Sequence, residues 1–153
     1  MTKIKYKRIN AAATAPKKAF DSDSGYDVTA VSFEKKDFTI IASTGLVLDI
    51  PEGYEVQVRS RSGMASKGVV VANSPGTIDA GYRGELKVIL GSITGQCPFI
   101  IEGGIVRIGQ EAIKKGDRVA QIVVQPVIKT VMEESDDVSD SDRGEGGLGS
   151  TGA

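Results

Sequence analysis

The sequence predicts an all-β fold, an antiparallel sandwich or jelly-roll barrel with one short helix. Short β-type runs recur along the chain, and Gly- and Pro-based turn signals separate them. Only one short stretch, near Ser62–Lys67, reads as a helix. The 19 glycines among 153 residues suit many tight turns. A chain of this length forms one domain with one modest core.

The elements follow in order. Lys3–Arg8 is the first strand candidate, and Phe38–Ile41 and Leu46–Ile50 follow. Pro51-Glu52-Gly53 then turns the chain into Tyr54–Arg59, where polar and apolar residues alternate as in a half-buried strand. After the helix candidate come Val69–Val71, a Pro75-Gly76 turn, and a short lead-in strand at Thr77 and Ile78. Glu85–Leu90 is the next strand. Phe99–Ile101 and Ile105–Ile108 flank Gly103-Gly104, and Lys115-Gly116-Asp117 turns the chain into Val119–Pro126. Residues 1–132 are expected to form the barrel, with 91–110 inserted as an extra hairpin or lobe. Residues 133–153 are acidic and then glycine-rich, and they cannot bury enough apolar surface to fold alone. They form an expected flexible arm.

Composition removes several classes of function. There is no His, which excludes His-based triads, His metal ligands and a His general base. The single Cys97 excludes an intrachain disulfide and a thiolate metal cluster. A net charge of −1 gives no global attraction to nucleic acid or membrane. The charge is uneven, however. Residues 1–18 carry six Lys or Arg and no acid, and residues 133–142 carry six Asp or Glu and no base. No apolar run reaches membrane-span length, and the basic start lacks a signal-peptide core. The expectation is a soluble, cytoplasmic protein that is not secreted, in a cell or in the host of a virus.

Five segments could carry chemistry. In Asn73–Glu85, turn formers surround the carboxylate of Asp79. An acid there is either a turn residue bonding its own backbone or a base for water. Asn73 offers an amide donor and acceptor that could read a pyrimidine edge. Tyr82 is either a flat platform for a sugar or base, or a core aromatic at a strand start. Arg59–Gly68 combines three bases, three hydroxyls and a helix start, which suits phosphate or a capped helix with exposed bases. Arg143–Thr151 exposes glycine N–H groups beside an Arg and two hydroxyls, which suits a polyphosphate or a free end. Asp27, in Ser24–Val28, could hold a magnesium-bound water. In Gly116–Gln121, Asp117 and Arg118 most simply pair with each other or with neighbours, and Gln121 could face a ligand.

Taken in chain order, the segments resemble the five motifs of the trimeric dUTP diphosphatases (dUTPases). Ser24–Val28 is similar to the first motif, Arg61–Ala65 to the second, Gly76–Gly84 to the third, Gly116–Gln121 to the fourth and Arg143–Gly152 to the fifth. The resemblance implies a distorted jelly-roll barrel, a homotrimer with shared active sites, and hydrolysis of dUTP to dUMP and pyrophosphate with Mg²⁺. It implies that Asp79 activates the attacking water, and that Asn73 with the backbone of Gly76, Thr77 and Ile78 recognises uracil. Tyr82 would stack on deoxyribose, and Lys87 falls beside the uracil pocket. Arg61, Ser62 and Gly63 would bind phosphate, and Gln121 would lie near the α-phosphate. Arg143, Gly147, Leu148, Ser150 and Thr151 would close over the ligand from a neighbouring subunit. Asp27 would hold magnesium through water.

Two departures stand out. Leu148 occupies a position where the family carries Phe, and the stretch holding 91–110 is longer than the compact pattern, as in viral members. Deamination of dCTP on the same superfold, a non-catalytic jelly roll, and a dUTPase that also binds a regulatory partner through 91–110 are the alternatives. The close Gly76–Gly84 match disfavours the deaminase.

Overall fold

The structure is a computed structural model that describes residues 2–93, 95, 100–108 and 111–147. It contains twelve strands and one helical turn among those residues. In chain order they are β1 Lys5–Arg8, β2 Gly25–Thr29, β3 Ser32–Lys36, β4 Thr39–Asp49, β5 Tyr54–Arg59, α1 Ser62–Ala65 and β6 Val69–Val71. Then come β7 Gly76–Ile78, β8 Glu85–Ser92, β9 Ile100–Glu102, β10 Ile105–Ile108, β11 Glu111–Lys114 and β12 Arg118–Pro126. All pairings are antiparallel.

Two sheets enclose the core. One has the order β1-β4-β8-β6, with β3 also on β4, and the other has the order β2-β12-β5-β7. β4, β5 and β8 contribute alternate residues to the interior, as the period of two requires. Val56 and Val58 of β5 point inward and face Val88 and Leu90 of β8 within one apolar cluster. A third sheet, β11-β10-β9, adds Val106, Ile108 and Ile113 to the same cluster. Segment 91–110 is therefore divided: Gly91 and Ser92 end β8, and residues 100–108 supply β9 and β10.

The expected all-β jelly roll with one short helix is the observed fold. Several elements differ from the sequence reading. Phe38–Ile41 and Leu46–Ile50 mostly fall in one strand, β4, which runs from Thr39 to Asp49 through Ala42-Ser43-Thr44-Gly45. That tetrapeptide, which belongs to neither strand candidate, is an irregularity in the ladder, where the β4–β8 register shifts between Ser43 and Val47. Gly45 has φ of +69°, and a side chain there would press on Asn10 and Ala13. Strands β2, β3 and β11 have no apolar run of their own and form through their partners. Phe99 and Cys97 lie outside the described residues. No helix among the described residues is long and apolar enough to cross a membrane.

The irregularity in β4 is fully bonded. Thr44, the one buried polar residue in the described interior, donates from Oγ1 to Leu86 O at 2.7 Å and accepts from Leu46 N at 3.2 Å. Gly45 N donates to Glu85 Oε1 at 2.7 Å, and Ile9 N donates to Gly45 O at 2.9 Å. An apolar isostere at Thr44 would strand two buried backbone groups, each costing about 1–3 kcal/mol. Thr44→Val is therefore expected to lower unfolding free energy by about 2–4 kcal/mol. Urea denaturation measures this, and a loss below about 1 kcal/mol would mean that the bonds are dispensable.

Candidate active site

The segment from Asn73 to Glu85 builds one wall of a cleft of about 460 Å³. The peptide bond Ser74–Pro75 is cis, which reverses the chain before β7. Asn73 lies over Gly76, whose missing side chain leaves room for the amide: a Cβ there would meet Asn73 Nδ2 at 3.0 Å. Gly76, Thr77 and Ile78 form β7 and line the cleft with Asn73 and Tyr82. Across from them are the outward-facing Ile41 of β4 and Lys87 and Ile89 of β8. Six residues expected to bind substrate, Asn73, Gly76, Thr77, Ile78, Tyr82 and Lys87, thus share one concavity. Its size suits a nucleoside. Glu34 and Lys36 also line it, and they come from β3, a strand the sequence did not reveal.

Tyr82 is not a core aromatic. It is 45% exposed, and its hydroxyl donates to Glu85 O at 3.1 Å. Its ring folds back over Gly84, where a Cβ would overlap the phenol. The turn closes with Tyr82 N donating to Asp79 O at 3.0 Å. Arg83 braces it through hydrogen bonds to Ala80 O at 2.6 Å and Asp49 Oδ1 at 3.0 Å. Asp79 is exposed, and its carboxylate makes no hydrogen bond or ion pair among the described residues. The Asx-turn reading is thus not realised, and both lone-pair faces are open to a ligand or water.

A second cluster forms where β2, β12 and the β5–α1 connection meet. Asp27 Oδ1 accepts from Arg61 Nε at 2.7 Å, and Oδ2 accepts from Arg118 Nη1 at 3.0 Å. The carboxylate is largely buried, with 20% of its side chain exposed, so these are charge-assisted bonds in a partly dry setting. Arg118 therefore pairs with Asp27 rather than Asp117. Asp117 instead accepts from Lys114 N at 2.9 Å within its own turn. Arg118 was missed as a site residue because its partner is 91 positions away in the chain.

Gln121, paired with Asp27 across the β2–β12 ladder, donates Nε2 to Ser60 O at 2.9 Å. Its amide packs beneath Gly25, where a Cβ would collide with it. Ser60 also accepts at Oγ from Val71 N at 2.9 Å. Ser62 and Gly63 open α1 and are exposed. No group of three or more acids or Cys among the described residues is arranged to ligate a metal.

The two clusters are well separated. Ile78 pairs with Val56 and Gly76 with Val58, so Asp79 lies beside the start of β5. Arg61 lies beyond its end. Six residues of extended chain span roughly 20 Å. In the arm, Arg143 Nε donates to Gly146 O at 2.8 Å, and Gly147 is exposed. Leu148, Ser150 and Thr151 lie outside the described residues.

A jelly-roll barrel with a nucleoside-sized cleft at one end and a guanidinium cluster at the other is the framework of a nucleotide-binding enzyme. The family model described as dUTPase matches residues 11–152. The chain belongs to the dUTPase family. It is 42% identical to the deoxyuridine 5'-triphosphate nucleotidohydrolase of Alkaliphilus metalliredigens over 99% of both chains. It is 40% identical to that of Hydrogenobaculum over 98% of both. A solved variant of the Staphylococcus bacteriophage 80alpha dUTPase with dUpNHpp matches at a TM-score of 0.79 and 26% identity, covering 100% of both chains. Its reaction class is therefore hydrolysis of dUTP.

Gly84→Ala is expected to displace the Tyr82 ring and raise KM for dUTP roughly 3–10-fold, the worth of one aromatic contact. The unfolding midpoint should hardly move, because Gly84 lies in a surface turn. Steady-state kinetics check this, and an unchanged KM would show that the ring does not touch substrate.

Proposed function

We propose that the chain cleaves dUTP to dUMP and pyrophosphate, with Asp79 as the base for the attacking water. The observation that carries this is the pairing of an unpartnered, solvent-facing carboxylate with a cleft that collects Asn73, Gly76, Thr77, Ile78, Tyr82 and Lys87. Asn73 and the β7 backbone would hydrogen-bond the uracil edge. Tyr82 would cover the deoxyribose and crowd out a 2′-hydroxyl. Asp79 follows β7 directly, so it would lie on the phosphate side of the sugar and accept a proton from water aligned with the α-phosphorus.

The phosphates would be held by Arg61, Ser62, Gly63 and Gln121, with Arg143, Gly147, Ser150 and Thr151 closing over them and Leu148 reaching the base. Because Asp79 and Arg61 stand at opposite ends of β5, one chain cannot offer both to a single nucleotide. Each site would then combine the nucleoside cleft of one copy with the guanidinium cluster of another, and a homotrimer would close the arrangement. The arm, residues 133–153, would come from a further copy. Residues 1–132 would form the barrel, with 91–110 as its insertion.

Mg²⁺ fits this donor set only through water, since Asp27 is the sole carboxylate of the cluster and already holds two arginines. When bound, it would neutralise charge on the triphosphate. Asp27 would orient a water on it while keeping Arg61 in place.

Asp79→Asn is expected to retain nucleotide binding and lose about 10²–10⁴-fold in kcat. Arg61→Ala is expected to be weak as well. Copies of the two variants refolded together should regain activity, because some sites then draw Asp79 from one copy and Arg61 from another. Mixtures no better than either variant would defeat the shared site, and near-normal turnover of Asp79→Asn would defeat the base.

Leu148 can cover uracil but offers no π-face. Leu148→Phe should tighten dUTP binding by about 0.5–1.5 kcal/mol, read by titration with a non-hydrolysable analogue. No tightening would place Leu148 away from the base.

A further inference from the structure

The two strongest charge runs of the chain are both left without partners by the fold. Lys3, Lys5, Lys7, Arg8, Lys17 and Lys18 form no ion pair among the described residues, and neither do Glu133, Glu134, Asp136, Asp137, Asp140 and Asp142. The cations are grouped. Four lie on and just before β1, an edge strand that pairs only with β4 and is exposed along its whole length. The other two lie where Lys17 bridges to Asp27 and Lys18 sits 4.7 Å from the Tyr26 ring centroid.

The chain's own arm does not neutralise them. Its root is pinned beside β1: Val127 N donates to Gly53 O at 2.9 Å, and Lys129 Nζ meets Glu52 at 2.6 Å. Thr2, just before β1, bonds Tyr54 Oη at 3.0 Å. The acids of the arm, 133–142, form no ion pair with β1 or with Lys17 and Lys18 among the described residues. The arm instead continues outward, with Val131 and Met132 more than nine-tenths exposed.

We infer that the acidic run of one copy docks on the basic edge, β1 and Lys17–Lys18, of a second copy. The contact is an electrostatic guide for the arm. Its direction has a use: Arg143 and the glycine tail follow Asp142 directly, while Lys17, Lys18 and Ala19 border the same cleft as Asp27 and Arg118. Acids seated on Lys17 and Lys18 would therefore deliver Arg143 beside the guanidinium cluster. The inference deepens the reading of a site shared between copies, and its test reads contacts apart from turnover.

The test uses full-length chains, one half uniformly ¹⁵N-labelled, mixed in denaturant and refolded together. Recovered dUTP hydrolysis confirms refolding. Carbodiimide then joins contacting lysines and carboxylates directly. The expected products link peptides from Lys3–Lys18 to peptides from 133–142, with labelled–unlabelled pairs about as common as same-label pairs. They should fade in about 1 M salt, where the screening length falls to about 3 Å. Links found only within one label, or none between these segments, would overturn the inference. A second measurement avoids refolding. Lys5→Glu with Lys7→Glu should reduce the links still possible at Lys3, Lys17 and Lys18 at least about threefold, and adding Glu133→Lys with Glu134→Lys should create links between the reversed pairs. Links undiminished by the first pair of changes, or absent between the reversed pairs after the second, would also overturn it.

Discussion

The barrel depends on the break in β4. At Thr44 and Gly45 the strand leaves the regular ladder, and its polar groups are taken over by β8 and by the chain after β1. Thr44 bonds Leu86, Gly45 bonds the Glu85 side chain, and Ile9 bonds Gly45. These bonds set where β8 begins. The turn from Asp79 to Gly84 ends at that point, so the placement of Tyr82 and Asp79 is inherited from an irregularity on the neighbouring strand. A bulge beside a functional turn re-aims the chain locally while the rest of the sheet keeps its register.

A second constraint comes from direction. Antiparallel pairing of β5 with β7 sends the chain toward Asp79 at one end and toward Arg61 at the other. The β7 wall of the cleft and the guanidinium cluster thus lie on one sheet, each fixed by strand geometry, at opposite ends of β5. The cluster is held together internally by Asp27, whose carboxylate keeps two guanidinium groups close despite their repulsion. Removing that acid would leave two like charges with no shared counter-ion.

Sequence patterns revealed elements where a segment carries its own signal. Tyr54–Arg59 alternates cleanly and is β5 as expected, and Val69–Val71 is β6 as expected. Strands β2, β3 and β11 were hidden because Gly25-Tyr26-Asp27, Glu34-Lys35-Lys36 and Glu111-Ala112-Ile113-Lys114 show little apolar patterning. Their ladders are supplied by β12, β4 and β10. Ala42–Gly45 falls between two strand candidates because Ser, Thr and Gly break strands unless their polar groups are bonded, and here those of Thr44 and Gly45 are. The cleft wall formed by Asn73, Gly76, Thr77, Ile78 and Tyr82 was legible because those residues lie in one short segment. Glu34, Lys36 and Arg118 were not, since only the folded chain brings them to their partners.

Ser60 has a wider consequence. Its carbonyl holds Gln121 of one sheet, and its hydroxyl holds Val71 of the other. The two layers are therefore tied together at this point by two hydrogen bonds as well as by side-chain packing. Over evolutionary time the valine-rich interior can exchange methyl groups, with Ile for Val or Leu for Ile, while Gln121 stays where it is. Drift in the core and constancy at Gln121 become separable, as long as position 60 keeps a small hydroxyl.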